Sequence, residues 1–405
     1  MRIVLILLLS QPGCGLRYFG PLTSPATHLR ALRESARSFL APHSESCFAW
    51  HAEHSPGELL FSQDSEHSGN GKVTVVQHGP WRCLRFDDVE QGLAYSGRFA
   101  RGPVLGEQYL RVMAAAGAAS AEWSWPREWQ AGRMLCVGLG TGALPAFLAA
   151  RFPELDVEVV EVDSAVVRAS RQVLGGRFQV QREGWRRTPP PPGAQEHGIY
   201  DVYLSDAAEH LRRKAATSDA ARGAPLSTIF LDAFDARGQT PAHLLAPAFL
   251  RDCRDALAPG GAVVCNFFNG APGSESRAQA ESLARTLAES VGPVLSLEVP
   301  AAEDSLVLLA RRPVEGERAS RPGVRDLRAA ARAAFGWRWP GRRAARLVRG
   351  VRWVETGAEV EGGFAELAPP RSTSRREVEP GSLRRGSSAV SWLEGADPPQ
   401  GLGGA

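Results

Sequence analysis

The sequence predicts an α/β fold built on a mainly parallel sheet, with a small β-hairpin before it and an antiparallel hairpin closing it. Three observations carry this. A short apolar run, Met134-Leu-Cys-Val137, leads straight into Gly138-Leu-Gly-Thr-Gly142 and a helix-like stretch, Leu144–Arg151. Further short apolar runs then alternate with helix-like stretches, the pattern of parallel strands joined by right-handed crossovers. The last two strand-like runs, Leu295–Val299 and Ser305–Ala310, lie too close in sequence for a crossover and must pair antiparallel.

Taken in order, the chain opens with a segment, 1–71, expected to be a poorly ordered leader. Its apolar run Ile3–Leu9 is far too short to span a membrane as a helix. That run suits the core of a signal peptide, although no A-x-A cleavage pattern follows; the acid-poor stretch before Glu34 equally suits an organelle transit leader, and a misassigned start codon would look the same. The sequence leaves these three open. Block 72–132 reads as a hairpin, Lys72–Gln77 and Trp81–Phe86 around His78-Gly-Pro80, followed by a helix over Leu105–Ala119 that Trp123-Ser-Trp-Pro126 breaks. The core, 133–313, adds strands at Val157–Val162, Thr228–Leu231 and Ala262–Asn266. Its helices fall at Ala165–Leu174 and Leu244–Leu257, the latter stopped by Pro259-Gly-Gly261. A proline-rich insertion near 185–198, with Thr188-Pro-Pro-Pro-Pro192, cannot be sheet. The Arg-rich tail, 314–405, carries one helix-like stretch at Val324–Phe335 and reads as largely disordered after 369.

Composition narrows the function. The chain has 405 residues, too long for one ordinary domain and short for three, and a 43% hydrophobic fraction that supports a sizeable core. Its net charge of +3 is nearly all arginine, since Lys72 and Lys214 are the only lysines; with the abundant Ala, Gly and Pro this reads as GC-rich codon bias. A nucleic-acid footprint would need the basic residues clustered on one face, and no nucleic-acid partner is expected. The cysteines are scattered with no C-x-x-C pair, and the histidines form no H-E-x-x-H pattern, so neither a disulfide framework nor a metal site is expected. No integral membrane span is expected. The protein is read as intracellular, subject to what its leader does.

The chemistry concentrates at strand ends. Gly138, Gly140 and Gly142 follow a strand and open a helix, where a tight turn and close ligand approach need glycine. Gly138-x-Gly140-x-x-Ala143 also satisfies the dinucleotide fingerprint, with Glu161 near the distance of a ribose contact, so NAD has to be weighed. Three features oppose it: the motif lies mid-chain, a second acidic turn follows at Ser205-Asp206-Ala207, and the next strand ends in Asp232-Ala-Phe-Asp235. Glu161 sits at the carboxyl edge of its strand, where open α/β sheets bind ligands, and its carboxylate suits two ribose hydroxyls. Asp163, directly before Ser164-Ala165, better suits a helix cap.

Val137-Gly-Leu-Gly-Thr-Gly142, Val160-Glu-Val-Asp163, Asp206-Ala207 and Leu231-Asp-Ala-Phe-Asp235 resemble the successive motifs of spermidine synthases and related methyltransferases. Phe86-Asp-Asp-Val-Glu-Gln91 is similar to that family's hairpin signature, and the likeness runs from about Cys83 to Arg312. Leu135–Val167 also looks like the C-terminal half of the dual methyltransferase of elongation factor 1A. The resemblance implies a Rossmann-like class I methyltransferase sheet that binds S-adenosyl-L-methionine, or its decarboxylated form. It implies that Gly138, Gly140, Thr141, Gly142, Glu161, Asp206 and Ala207 line the donor, with Glu161 on the ribose and Asp206 on the adenine amino group. Asp232 would face the reacting centre as the catalytic residue, with Gln91, Tyr109 and Asp235 toward the acceptor.

Two departures weigh on the reaction. Spermidine synthases carry an acid in the glycine loop to hold the aminopropyl ammonium, where this chain has Thr141. Their helix motif Asp-Glu-x-x-Tyr-His-Glu is not reproduced either: Leu105-Gly-Glu-Gln-Tyr-Leu-Arg111 keeps Glu107 or Tyr109 depending on register. The leading expectation is methyl transfer from S-adenosylmethionine to a small-molecule or protein acceptor. The runner-up is aminopropyl transfer in polyamine biosynthesis, and a third reading is a non-catalytic binding protein that keeps the fold. Acceptor and oligomeric state are not legible.

Overall fold

A computed structural model describes residues 45–314 and 351–354, apart from breaks at 68, 98–102, 125–131, 153–155, 182–198, 217–224, 269, 272 and 300–304. Most of the expected leader, the proline-rich insertion, the Val324–Phe335 helix and the tail after 369 therefore lie outside the described residues.

In chain order the elements are α1 (Glu45–His54), β1 (Glu58–Asp64), β2 (Lys72–His78), β3 (Trp81–Phe86), β4 (Val89–Tyr95) and α2 (Gln108–Ser124). The core follows with β5 (Arg133–Val137), α3 (Ala143–Arg151), β6 (Asp156–Glu161), α4 (Ser164–Ala169, extended by a π-helical turn over Ser170–Leu174), β7 (Phe178–Gln181) and β8 (Tyr200–Leu204). Then come α5 (Ala207–Ala216), β9 (Leu226–Leu231), α6 (Pro247–Ala256), β10 (Leu257–Phe268), α7 (Glu275–Ser290), β11 (Val294–Glu298), β12 (Ser305–Arg311) and β13 (Val351–Val354).

The expected hairpin is the middle of an antiparallel meander, β1-β2-β3-β4. It begins at Glu58, so ordered structure reaches back into the segment read as leader. β1 escapes the sequence pattern because it is an edge strand whose residues are mostly exposed or half-buried, giving no clean apolar alternation. α1 covers the sheet's outer face, where Phe48 meets Trp81 edge-on at 6.2 Å and Trp81 meets Tyr95 at 5.0 Å.

The large sheet has the order β13-β11-β12-β10-β9-β5-β6-β8-β7. Strands β10 through β7 run parallel, and β12 pairs antiparallel with both β10 and β11 as the sequence requires. β7 and β8 were not foreseen. A buried polar pair obscures them: Gln181 Nε2 donates to Asp201 Oδ1 at 2.8 Å across the two strands. β13 pairs with β11 from within the stretch read as tail.

Packing fixes the layers. Helix α2 lies across β9 and β10 at a distance that only glycine permits, since a Cβ at Gly117 would stand 2.2 Å from the Phe230 ring. On the opposite side of the sheet the buried Glu158 of β6 pairs with both Arg133 and Lys214. Burial pushes the Glu158 carboxyl up, but the two cations outweigh it and hold the group at about 2. One of the chain's two lysines is thus spent on neutralising a buried charge. The four described cysteines outside α1, Cys83, Cys136, Cys253 and Cys265, are buried free thiols. Among the described residues no helix is long and apolar enough to cross a membrane.

Candidate functional site

From β5 the chain passes to β6 and β8 on one side, and β9 and β10 lie on the other. The direction of winding therefore changes between β5 and β9, and a crevice opens beyond their carboxyl ends, the place where such sheets take ligands. A cleft of about 370 Å³ lies there, lined from both sheets.

The floor of the cleft is the glycine loop. Gly138 (φ 95°) lets the loop pass under β9's end, because a Cβ would stand 2.4 Å from the Asp232 carbonyl oxygen. Gly140 (φ 50°) faces open space, with nothing nearer a built Cβ than the Gln91 carbonyl at 3.9 Å. Gly142 does different work from the ligand-lining role expected of it. It is absent from the cleft wall and faces inward, where a Cβ would meet Tyr200 Oη at 2.7 Å.

Glu161 is 7% exposed. Its Oε2 accepts the Leu139 N–H and its Oε1 the Asp163 N–H, both at 2.9 Å. The carboxylate therefore braces the glycine loop while lining the cleft. Burial raises its pKa, opposed by those two N–H donors. Asp163 caps α4 as expected, accepting from Ala165 N–H at 2.9 Å. Its other oxygen accepts from Ser65 Oγ at 2.6 Å and Asn70 Nδ2 at 3.0 Å, which fastens the small sheet to the core.

Asp206 also works as a cap. Oδ1 accepts the Glu209 N–H at 3.0 Å, and Oδ2 meets His243 Nε2 at 2.8 Å. Burial raises its pKa, but these contacts prevail and the carboxyl sits below its usual range. Both Asp206 and Ala207 line the cleft.

Asp232 directly follows β9 and is flanked by two donors: Asn266 Nδ2 at 3.0 Å from Oδ1, and the Tyr109 hydroxyl at a long 3.5 Å from Oδ2. Burial outweighs both and lifts its pKa to about 6. Asp235 Oδ1 closes the following turn by accepting the N–H groups of Arg237 (2.8 Å) and Gln239 (2.9 Å). Its backbone carbonyl accepts from Gln91 Nε2 at 3.2 Å. Gln91 is aimed there by a bulge: Leu84 pairs with Gly92 and Arg85 with Glu90, so Gln91 is the extra residue.

The structure thus brings Gln91, Tyr109, Gly138, Gly140, Thr141, Glu161, Asp206, Ala207, Asp232 and Asp235 into one cleft. No role is assigned from the sequence to Asn70, His243 or Asn266, and Glu107 enters only as an alternative to Tyr109 in the helix motif. Asn266 had a readable signal, a lone amide ending the apolar run Ala262–Cys265. His243 had none.

No family model matches the chain. A polyamine aminopropyltransferase of Vibrio vulnificus (strain CMCP6) is 28% identical over 137 residues, 34% of this chain and 38% of that enzyme, so the likeness spans well under half of the relative's length. Among solved structures, a probable spermidine synthase of Corynebacterium glutamicum is similar over 67% of this chain and 86% of its own, with a TM-score of 0.48 and 16% identity. Human methyltransferase-like protein 13 in complex with SAH gives 63%, 97%, 0.43 and 17%, and the Thermotoga maritima spermidine synthase 69%, 87%, 0.44 and 13%. The strand order with its inserted antiparallel strand, and the glycine turn at the switch point, make this chain a Rossmann-like sheet of the class I methyltransferase type.

Proposed function

We propose that the protein is an S-adenosyl-nucleotide-dependent transferase, and that it transfers the methyl group of S-adenosyl-L-methionine. The observation that carries this reading is Asp232. A carboxylate with its pKa near 6, held by Asn266 and Tyr109, faces across one cleft the glycine loop, Glu161 and Asp206. The residues fit the donor. Gly140 leaves its backbone bare beside the cleft, Glu161 keeps lone pairs beyond its two N–H partners for ribose hydroxyls, and Asp206 stands at the start of α5 for the adenine amino group.

When bound, the donor supplies a carbon activated by its sulfonium. The chain's part is to align that carbon with the acceptor's lone pair and to keep the two in contact. Asp232 accepts the acceptor's proton, and a pKa near 6 leaves it ionised at neutral pH. Gln91, Tyr109 and Asp235 line the acceptor side. A cleft with carboxylates at Glu107, Glu161, Asp206, Asp232 and Asp235 favours a cationic acceptor such as an amine.

A second reading, aminopropyl transfer to a polyamine, is supported by the aminopropyltransferase relative and by Glu107, a further acid lining the cleft that bonds to Leu93, as Thr141 does. The nucleoside product separates the two reactions: S-adenosylhomocysteine for methyl transfer, methylthioadenosine for aminopropyl transfer. Incubation with each donor and a panel of amines and basic peptides, read by mass spectrometry, tests both. Neither product from any acceptor, with donor binding intact, would leave a binding protein.

A further inference from the structure

Pro241 opens a 3-10 turn over Ala242–Leu244, closed by the Leu244 N–H on the Pro241 carbonyl at 2.9 Å and the Leu245 N–H on the Ala242 carbonyl at 3.1 Å. Leu244 is buried, while its neighbour His243 stays half-exposed on the cleft wall. There His243 Nε2 meets Asp206 Oδ2 at 2.8 Å. The Asp206 carboxyl sits below its usual range, so it is an ionised acceptor and the ring nitrogen carries the proton. The two partners come from different parts of the sheet. Asp206 follows β8 and His243 follows β9, with β5 and β6 lying between those strands. The contact therefore joins two segments that leave the sheet on either side of the glycine loop. One of them, from Asp232 to Leu244, is held at its near end by the small sheet and its β1–β2 loop. Gln91 Nε2 donates to the Asp235 carbonyl at 3.2 Å, and the Ala236 N–H to the Gly69 carbonyl at 3.4 Å. His243 holds the far end.

We propose that His243 is a positioning residue that clasps the segment carrying Asp232 to Asp206, so that the donor's adenine end and the reacting base share one fixed frame. The inference rests on the transferase reading above, in which Asp206 takes the adenine amino group. Helix N–H groups of Ala208 and Glu209 steady the Asp206 carboxylate from one side and His243 steadies it from the other. Its lone pairs still leave a place for a further donor. Without the ring N–H, Oδ2 is free to turn toward water, and the far end of the segment loses its tie to α5. An exposed pair of this kind contributes little to global stability. Its loss is therefore felt at the cleft, in donor affinity and in the mobility of the segment.

Two measurements on the full chain test this. In calorimetry with S-adenosylhomocysteine, His243→Ala should weaken binding roughly threefold to tenfold. His243→Gln, whose amide places an N–H near the position of Nε2, should recover most of that loss. The second measurement needs no ligand: hydrogen exchange of the backbone across 236–246 should quicken severalfold in His243→Ala and return toward the wild type in His243→Gln. In Asp206→Ala the same segment should already exchange fast, and adding His243→Ala should change it no further. Unchanged affinity or unchanged exchange in His243→Ala would overturn the proposal. So would additive effects of the two alanine substitutions on exchange, because the ring would then act without Asp206. A folded His243→Gln variant as weak as His243→Ala would overturn it too. If the wild type binds neither S-adenosylhomocysteine nor its decarboxylated form, the transferase reading itself fails and takes this inference with it.

Discussion

Replacing Asp232 by Asn should make the protein more stable as it removes the reaction. Burial lifts this carboxyl from 3.8 to about 6, a difference of about two pH units, and each unit corresponds to about 1.4 kcal/mol. The sign follows from proton counting. Between pH 4 and pH 6 the folded state holds a proton that the unfolded state has released, so stability falls as pH rises through that window and is flat above it. Above pH 6 the wild type therefore carries a penalty of up to roughly 3 kcal/mol from this group, reduced by whatever relaxation and water its half-buried position allows. Asn at 232 has no such titration and can still accept from Asn266. Urea unfolding followed by tryptophan fluorescence at pH 4.5 and pH 8 reads the difference. The stability gap between variant and wild type should grow by about 1–3 kcal/mol from the lower to the higher pH, while transfer activity is lost. A gap independent of pH would refute the assignment of Asp232 as the desolvated, titrating base.

Other outcomes follow from the same geometry. In the wild type, the rate of transfer should fall as pH drops through about 6, where Asp232 takes up its proton, and a profile flat to pH 5 would contradict a base at that position. Glu161→Ala should weaken donor binding by about 1.5–3 kcal/mol and also cost stability, because two backbone N–H groups lose their acceptor; calorimetry and denaturant titration read the two effects separately. Gly142→Ala should destabilise the fold by about 1–3 kcal/mol through its positive φ and the contact with Tyr200, whereas Gly140→Ala should chiefly lower donor affinity. Lys214→Met, which strips one cation from the buried Glu158, should destabilise by about 3–5 kcal/mol at pH 7.

The core of the fold was legible because its strands are short, apolar and bounded. Met134–Val137, Thr228–Leu231 and the closing hairpin could be read from spacing alone. β7 and β8 were hidden by their buried Gln181–Asp201 pair, which breaks the apolar run where a solvated segment would also break it. β1 was hidden by exposure at a sheet edge. Within the site, strand-end acids and glycines were visible because few other settings call for them. Tertiary partners were not. Asp206 meets His243, which comes from the turn that follows β9, and Glu107 and Thr141 are linked through Leu93 of β4, to which both bond. Thr141, where spermidine synthases carry an acid, can be compared from the sequence only within its own loop; the Glu107 carboxylate that bonds to the same residue, Leu93, comes from outside that loop.

The central claim is that this cleft holds an S-adenosyl nucleotide, and calorimetric titration of the purified chain with S-adenosylmethionine, decarboxylated S-adenosylmethionine and NAD tests it most directly. At least one of the two sulfonium donors should bind with a single site, with Asp206→Ala weakening it and NAD giving no heat. Binding of NAD in place of both donors, or no binding of either donor to folded protein, would contradict the account.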